Sequence, residues 1–285
     1  MKQSTFTGSE QKKLAYRLWE AEGRKRGTVV IVHGYTEHGG RYAHFAEQLI
    51  QNGMSVYAHD HIGHGLSEGV RAHVKKFDTL VEDLHLFMEI VLEDAGSLPV
   101  YLFGQSMGGA VALLFTARYG KMLSGCILSA PAFVIGLKIP PVLKAVSRVL
   151  SVLFPKMKVN RGIAEHLSRD PAVIAAYNED RFLKKKKNRA RLGYLLLQLE
   201  ETIPPELSGI TLPICIMQGT ADKVVDPKGA RIIYENISSD DKTLKWFRAL
   251  YHELLHEPEK DEVISFALSW LEKQLLSPHG RHLER

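Results

Sequence analysis

Short apolar runs bounded by glycine or proline alternate along this chain with longer segments whose apolar residues recur at helical spacing. The short runs predict buried strands and the longer segments predict helices that bury one face. Strands are predicted at 27–34, 54–60, 99–104, 123–131, 212–219 and 242–250, and helices at 42–53, 79–96, 106–120, 226–237 and 259–276. Repeated strand–helix units predict an α/β fold with a mostly parallel central sheet and helices on both of its faces.

The alternation stops over about residues 131–211. An insertion between two strands of one sheet is typical of a cap, which would lie over the carboxyl ends of the strands, where open α/β sheets bind ligands. We therefore divide the chain into a first core part at 1–130, a helical cap at 131–211, a second core part at 212–276 and a polar tail, expected to be mobile, at 277–285.

The amino-acid composition of the chain excludes several classes of protein. The 285 residues carry 37 Lys and Arg against 32 Asp and Glu, and a net charge of +5 is too small to indicate a nucleic-acid binder. The N-terminus has no apolar signal region, and no apolar stretch reaches the roughly 18 residues that span a bilayer. Cys126 and Cys215 each lie within an apolar run and are expected to be buried free thiols, which suits a reducing compartment. We expect a cytoplasmic protein whose only membrane contact would be peripheral.

One glycine-rich turn carries the main chemical prediction. The stretch GQSMG places Ser106 between Gly104 and Gly108, after a predicted strand and before a predicted helix. This is the context of a nucleophile elbow, in which a strained serine stands above the sheet and the next backbone N–H, that of Met107, faces a developing oxyanion. The simpler alternative is a glycine loop whose serine only caps the helix.

A serine nucleophile needs a histidine base and an acid that orients it, in the chain order serine, acid, histidine. The loop after the 212–219 strand offers Asp222 and Asp226, and Asp226 is already explained as a helix cap before proline. The loop after the 242–250 strand offers His252 and His256. We assign Asp222 and His252, and expect His256 to face solvent.

A second oxyanion donor is expected from the loop that follows the first predicted strand. His33 and Gly34 end that strand, and the N–H of Tyr35 comes next. Hydrogen bonds that strengthen as charge develops on the carbonyl oxygen supply much of the rate in acyl transfer. An ordinary glycine turn after a strand is the alternative.

Two histidine patterns suggest metal sites. The HELLH stretch from His252 to His256 matches a zinc-protease motif, but that motif requires a sustained helix, which Pro258 disfavours. A second cluster follows the 54–60 strand, where a glycine-rich turn makes loop architecture the simpler interpretation; its members are His59, Asp60, His61 and His64.

Taken together, six stretches resemble the monoacylglycerol lipase and lysophospholipase branch of the α/β-hydrolases: VHGYTEHGGRYAHFAEQL, DHIGHGLSEG, LFGQSMGGAVALL, LSRDPAVIAAYNED, LPICIMQGTADKVVDPKGA and DKTLKWFRALYHELLHEPE. The resemblance spans about residues 10–275 and implies an α/β-hydrolase fold with an inserted helical cap. It implies Ser106, Asp222 and His252 as the catalytic triad, Tyr35 and Met107 as the oxyanion-hole donors, and hydrolysis of a glycerol ester of one fatty acid.

The chain departs from that branch at two places. Residues 248–251 read RALY where the family often has Glu-Gly before Ala-Tyr-His, and Arg181 stands where proline is common, ahead of a lysine run at 184–187. Both departures lie outside the triad. They bear on the cap, the pocket rim and therefore the substrate preference.

The predicted cap has sequence features that suit a lipid substrate. In its first helix Lys144, Ser147, Arg148 and Ser151 share one face, whereas Val142, Val146, Val149 and Leu153 share another. An apolar cap over a reactive serine would enclose a dry tunnel for an acyl chain, and the same helix could instead pack on its own domain or dock on a membrane. The lysine run at 184–187 is either a solvated surface or a weak tether to anionic headgroups.

Glu37 and Arg41 lie in the loop expected to carry the oxyanion donor. They could hydrogen-bond the hydroxyl groups of glycerol and so bind the polar end of the substrate. A mutual ion pair at the surface is the alternative.

We therefore interpret the chain as a serine esterase that cleaves monoacylglycerols to glycerol and fatty acid through an acyl-enzyme, with no cofactor or metal. Lysophospholipase or broad carboxylesterase activity is the alternative in the same class. A zinc peptidase built on the HELLH stretch, and a protein of this fold that binds a small molecule without turnover, are the interpretations from other classes.

Overall fold

A computed structural model describes residues 1–136, 140–159, 164–183 and 188–277 of the chain. The lysine run at 184–187 and nearly all of the predicted tail lie outside the described residues.

The centre of the molecule is an eight-stranded sheet in the order β1-β2-β4-β3-β5-β6-β9-β10. In this sheet, strands β3 to β6, β9 and β10 run parallel, and the β1–β2 and β2–β4 pairs are antiparallel. The predicted mostly parallel sheet is therefore confirmed. The strands of this sheet are β1 (Lys2–Thr7), β2 (Lys13–Trp19), β3 (Gly27–Val32), β4 (Met54–His59), β5 (Val100–Gln105), β6 (Gly125–Ser129), β9 (Ile214–Gly219) and β10 (Lys242–Phe247), and a separate two-stranded pair consists of β7 (Lys158–Val159) and β8 (Asn188–Arg189).

Helices cover both faces of the sheet and bury two apolar cores. Alternate residues of β3 point to opposite faces, so that Val30 and Val32 join one core and Val29 and Ile31 the other. Helices α2, α3 and α8 pack on the first face, and α1 and α9 on the second. The helices are α1 (Ala43–Gln51), α2 (Asp78–Ala95), α3 (Met107–Tyr119), α4 (Pro141–Leu153), α5 (Pro171–Glu179), α6 (Ala190–Leu197), α7 (Leu199–Thr202), α8 (Lys228–Asn236) and α9 (Lys260–Leu276).

Two features of the core bear on the predictions. The β1–β2 hairpin adds two antiparallel strands at one sheet edge, and it was not predicted because Phe6 is the only buried residue of β1. Cys126 and Cys215 lie on adjacent strands but in opposite cores, as buried free thiols. Burial raises the pKa of Cys126 to about 12, so the thiol stays protonated and unreactive.

The first helix of the segment between β6 and β9 has its apolar face turned outward. Ser151 is buried and hydrogen-bonds Arg191 of α6, whereas the apolar side chains at the C-terminal end of α4 face solvent. Val152, Leu153 and Phe154 are 65%, 64% and 59% exposed. Within the described ranges, no helix is both long and apolar enough to cross a bilayer.

The end of β3 and the first turn of α3 are in direct backbone contact. A methyl group on Gly108 would clash with the carbonyl oxygen of Val32 and lie 2.5 Å from that of His33. Because the opposing atoms are backbone atoms, no side-chain rotation can relieve this overlap. The close approach sets the distance between the serine turn and the loop that follows β3.

We predict opposite effects on stability for two Gly→Ala substitutions in helices. Gly108→Ala should lower the free energy of unfolding by about 3 kcal/mol because the new methyl group overlaps backbone. Gly193→Ala, at a position of α6 with open space around it, should raise that free energy by about 0.5–1 kcal/mol through helix propensity. Urea unfolding of both variants measures the difference, and equal effects would contradict the close approach.

Candidate active site

Ser106 occupies the strained turn between β5 and α3. Its φ of 53° and ψ of −118° lie in a region that non-glycine residues rarely adopt. The neighbouring strand holds this conformation, because the Ser106 N–H donates to the Ser129 carbonyl (3.0 Å) and the Ala132 N–H donates to the Ser106 carbonyl (2.9 Å). The turn has the geometry predicted for a nucleophile elbow.

Ser106, His252 and Asp222 form one line of hydrogen bonds. The Nε2 atom of His252 lies 2.8 Å from Ser106 Oγ, and its Nδ1 atom lies 2.8 Å from Asp222 Oδ2. An ionised carboxylate only accepts hydrogen bonds, so the proton of neutral His252 belongs on Nδ1 and leaves Nε2 free to accept the serine proton. The three side chains predicted from the sequence are brought together in a base-activated arrangement.

Backbone amides hold the acid in place. Asp222 Oδ1 accepts hydrogen bonds from the N–H groups of Val224 (2.8 Å) and Val225 (3.1 Å), and Oδ2 also accepts one from Gln218. Burial alone would lower the pKa of His252, but the charge and hydrogen bond of Asp222 outweigh it, and the pKa of His252 is raised above its ordinary value. The site therefore favours the imidazolium ion that forms when serine attacks.

The two alternatives to these residues have other roles. Asp226 accepts a hydrogen bond from the Lys228 N–H at the start of α8, as expected of a capping residue. The expectation that His256 faces solvent is wrong. Its Nε2 lies 3.3 Å from the Arg41 carbonyl oxygen and its ring packs against His44, because the short 3₁₀ helix Leu254–His256 turns it inward.

The two predicted oxyanion donors lie beside the serine. Tyr35 and Met107 both line the pocket at Ser106, and a Cβ on Gly34 would lie 3.2 Å from that of Ser106. Among the described residues, neither the Tyr35 nor the Met107 amide has a backbone hydrogen-bond acceptor. Donation by these two N–H groups to an oxyanion formed at Ser106 stays a prediction.

Glu37 and Arg41 form a buried network with a third residue, Glu253, that sequence reasoning did not single out. The guanidinium of Arg41 donates to both oxygens of Glu253 (2.7 Å each) and to Glu37 Oε2 (2.8 Å). Glu37 Oε1 accepts hydrogen bonds from the Gly34 N–H and the Tyr42 hydroxyl. The ion pair considered as the alternative is present, but it is buried rather than at the surface.

Burial and charge act differently on the two acids of this network. Burial raises the pKa of Glu37, and Arg41 only partly opposes it. Burial would also raise the pKa of Glu253, but the two-point contact with Arg41 outweighs it and lowers that pKa to about 2. Both oxygens of Glu37 are satisfied within the protein. Glu37 and Glu253 also line the pocket at Ser106, and binding of glycerol hydroxyl groups by Glu37 and Arg41 stays a prediction. The only sequence signal for Glu253 is its place next to His252.

The pocket above Ser106 has a mainly apolar lining. Its walls come from the segment between β6 and β9 and from the Asp222 loop: Ile135, Leu167, Tyr177, Leu196, Val224 and Val225. Helix α4 contributes no described residue to these walls, so its apolar face does not line the pocket. The apolar lining next to the serine suits contact with an acyl chain.

The histidine-rich segments have no metal-binding arrangement within the described ranges of the chain. His252 and His256 of the HELLH stretch have different hydrogen-bond partners. In the turn after β4, Asp60 accepts hydrogen bonds from Arg17 and from the Gly39 and Leu66 amides. This carboxylate organises the neighbouring loops, as the simpler interpretation expected.

Comparison with known proteins assigns this chain to a family. Residues 23–259 match the model of the family described as serine aminopeptidase, S33, within the hydrolases. The chain belongs to this family. Among relatives of this serine hydrolase, a monoacylglycerol lipase of Mycolicibacterium smegmatis is 36% identical over 271 residues, which cover 95% of this chain and 97% of that protein. The monoglyceride lipase of Homo sapiens is 33% identical over 242 residues, covering 85% and 80%.

Solved structures agree with the sequence relatives of this serine hydrolase. The crystal structure of a Paleococcus ferrophilus monoacylglycerol lipase superposes with a TM-score of 0.83 at 30% identity, over 92% of this chain and 99% of that chain. The α/β-hydrolase fold implied by the sequence resemblance is therefore confirmed. The prediction that the chain is a carboxylic ester hydrolase is also confirmed.

We predict that Asp222→Asn separates the two effects of this carboxylate. Loss of its charge leaves burial to lower the pKa of His252, so the acid limb of the kcat/KM profile should move to lower pH. The value of kcat should fall by about 10³–10⁴-fold because the histidine tautomer is no longer fixed. Asp226→Asn is the matched control and should leave the profile unchanged. An unshifted acid limb in Asp222→Asn would contradict the assignment.

Proposed function

We propose that this serine hydrolase cleaves monoacylglycerols into glycerol and a free fatty acid. The observation that carries the proposal is the Ser106–His252–Asp222 hydrogen-bond line at the base of an apolar pocket. The relatives whose names describe monoacylglycerol lipases support the choice of substrate.

In the first half-reaction, Ser106 Oγ attacks the ester carbonyl carbon while His252 Nε2 removes the hydroxyl proton. Asp222 stabilises the resulting imidazolium ion through its charge and its hydrogen bond to Nδ1. The N–H groups of Tyr35 and Met107 donate to the carbonyl oxygen as it becomes negative. The imidazolium then gives its proton to the leaving glycerol oxygen, and an acyl-enzyme remains on Ser106.

In the second half-reaction, His252 removes a proton from water, which attacks the acyl-enzyme carbonyl. The same two N–H groups stabilise the second oxyanion, and the serine oxygen leaves with the proton from His252. Each bond that breaks is matched by one that forms. The products are a fatty acid and free Ser106.

The segment between β6 and β9 supplies apolar walls of the pocket, as a substrate with one acyl chain requires. The loop after β3 that carries Tyr35, residues 33–38, is called the oxyanion loop below. Tyr177 contacts this loop through Thr36 (3.2 Å between hydroxyl oxygens), and Asp180 contacts His38 (2.9 Å). These contacts hold the C-terminal end of α5 against the loop that carries Tyr35. We therefore assign this segment, residues 131–211, as the cap, whose apolar side chains enclose the acyl chain.

Labelling with a fluorophosphonate probe tests whether Ser106 is an activated nucleophile. The wild-type protein should react, Ser106→Ala should not, and EDTA should have no effect, since the proposed steps use no metal. Hydrolysis assays then compare a monoacylglycerol, a lysophospholipid and a simple alkyl ester of the same acyl chain. Labelling without preference for the monoacylglycerol would overturn the substrate assignment, and a folded but unlabelled wild type would overturn the proposed chemistry.

We also propose that the exposed end of α4 docks on a lipid surface. Val152, Leu153 and Phe154 are followed by exposed lysines at 156 and 158, and apolar side chains beside basic ones are typical of interfacial helices. Because α4 belongs to the cap, docking there would bring the cap close to a membrane-dissolved substrate.

Vesicle flotation tests the docking surface. Replacing Val152, Leu153 and Phe154 together by Ser should reduce binding to phosphatidylcholine–phosphatidylserine vesicles by at least about tenfold, given the apolar area removed. Activity on a water-soluble short-chain ester should not change. Leu276→Ser, which alters an equally exposed apolar residue on α9, is the control. Equal flotation of the triple variant and the wild type would overturn the proposal.

A further inference from the structure

Four histidines lie buried beneath the oxyanion loop and take no part in the mechanism described above. They are His33 at the end of β3, His59 at the end of β4, and His61 and His64 in the turn that follows β4. The rings of His33 and His61 are the closest pair, with 4.3 Å between their centres. Burial lowers the pKa of both well below the ordinary value, so both rings stay neutral.

His33 and His61 are joined by two reciprocal hydrogen bonds. The backbone N–H of His61 donates to His33 Nε2 (2.9 Å), and the Nε2 atom of His61 lies 3.1 Å from the carbonyl oxygen of His33. Since Nε2 of neutral His33 accepts a hydrogen bond, its proton is on Nδ1. That Nδ1–H donates to the carbonyl oxygen of Gly34 (2.8 Å).

These bonds fix two successive peptide groups. In the first, His61 holds the His33 carbonyl while the Glu37 carboxylate accepts from the Gly34 N–H. In the second, His33 holds the Gly34 carbonyl. The C=O and N–H of a trans peptide point in opposite directions, so fixing the Gly34 oxygen sets the direction of the Tyr35 N–H.

We propose that His33 and His61 are positioning residues that aim the Tyr35 N–H at the oxyanion. The proposal rests on the proposed function, in which Tyr35 supplies one of the two oxyanion donors. Neither histidine lines the pocket at Ser106. Their effect on the reaction is transmitted through the Gly34–Tyr35 peptide.

The hydrogen bonds argue against a metal as the purpose of this cluster. Both ring nitrogens of His33 and the Nε2 of His61 are already engaged with backbone groups. His64 directs its Nδ1 at the Ile62 carbonyl (3.0 Å). A metal would have to displace these bonds and release the oxyanion loop.

Substitutions at His61 separate positioning from packing. His61→Met removes the donor to the His33 carbonyl while keeping the volume of the side chain similar. We expect kcat for ester hydrolysis to fall by about 10–100-fold with little change in KM, because a donor aimed only at the transition state is displaced. His61→Gln, whose amide nitrogen reaches the position of Nε2, should restore most of the loss. His61→Asn, equally polar but too short, should not.

His59→Met is the matched control within the same cluster. Among the described residues, the ring nitrogens of His59 have no hydrogen-bond partner, and its ring packs on Phe6 and Phe87. The His59 ring also packs on His61, with 4.8 Å between their centres, but it makes none of the hydrogen bonds that hold the loop. Methionine preserves most of this packing, and kcat should stay within about twofold of wild type. Thermal melts of all variants identify any that fail to fold, in which case the Gln–Asn comparison decides.

The affinity of an alkyl boronic acid is a measurement that a purely structural role of the histidines would leave unchanged. The boronic acid adds to Ser106 as a tetrahedral boronate with one oxygen in the oxyanion hole, so its affinity should fall in step with kcat across the variants, whereas inhibition by the fatty-acid product should not. Equal kcat losses in His61→Met and His59→Met, or in His61→Gln and His61→Asn, would overturn the positioning role. Absence of hydrolysis in the wild-type protein would instead overturn the proposed function.

Discussion

The contact between the end of β3 and the first turn of α3 is the constraint on which the site depends. Gly108 lies against the carbonyls of Val32 and His33, and Gly34 lies against Ser106, with no room for a side chain at either position. This backbone contact places the serine and the oxyanion loop at one fixed separation. The strained conformation of Ser106 persists because β6 hydrogen-bonds the turn from the other side. The strained backbone at Ser106 lowers the stability of the fold but keeps the serine in place.

Around this contact, buried ion pairs and hydrogen bonds hold the base and the oxyanion donors in place. Asp222, which is itself held by backbone amides, hydrogen-bonds one side of His252, and Gln105 donates to the His252 carbonyl (3.1 Å). Glu253, the next residue, is joined to the oxyanion loop through Arg41. The base and the oxyanion donors are therefore held to each other by ion pairs within the protein, and breaking one partner would leave a buried charge uncompensated.

The sequence predicts the parts whose signals are local. Strand–helix alternation is enough for the parallel sheet, and the GQSMG turn in its strand–helix context identifies Ser106. Asp222 is distinguished from Asp226 by its place in the loop. Contacts between distant residues leave no local signal, which is why the Arg41–Glu253 pair, 212 residues apart, was missed. Periodicity also groups the apolar residues of α4 on one face, but it cannot say that this face points to solvent while Ser151 faces the protein. That direction is set by the tertiary contact with α6.

The order of the strands has a consequence for how the protein acquires reactivity. Ser106 precedes His252 by 146 residues, and His252 follows β10, the strand at one edge of the sheet. During synthesis from the N-terminus, the nucleophile and its oxyanion loop are made well before the base. A nascent chain that has folded only as far as β6 holds a serine with no partner to remove its proton. The triad is therefore complete only after the residues that follow β10 have been made.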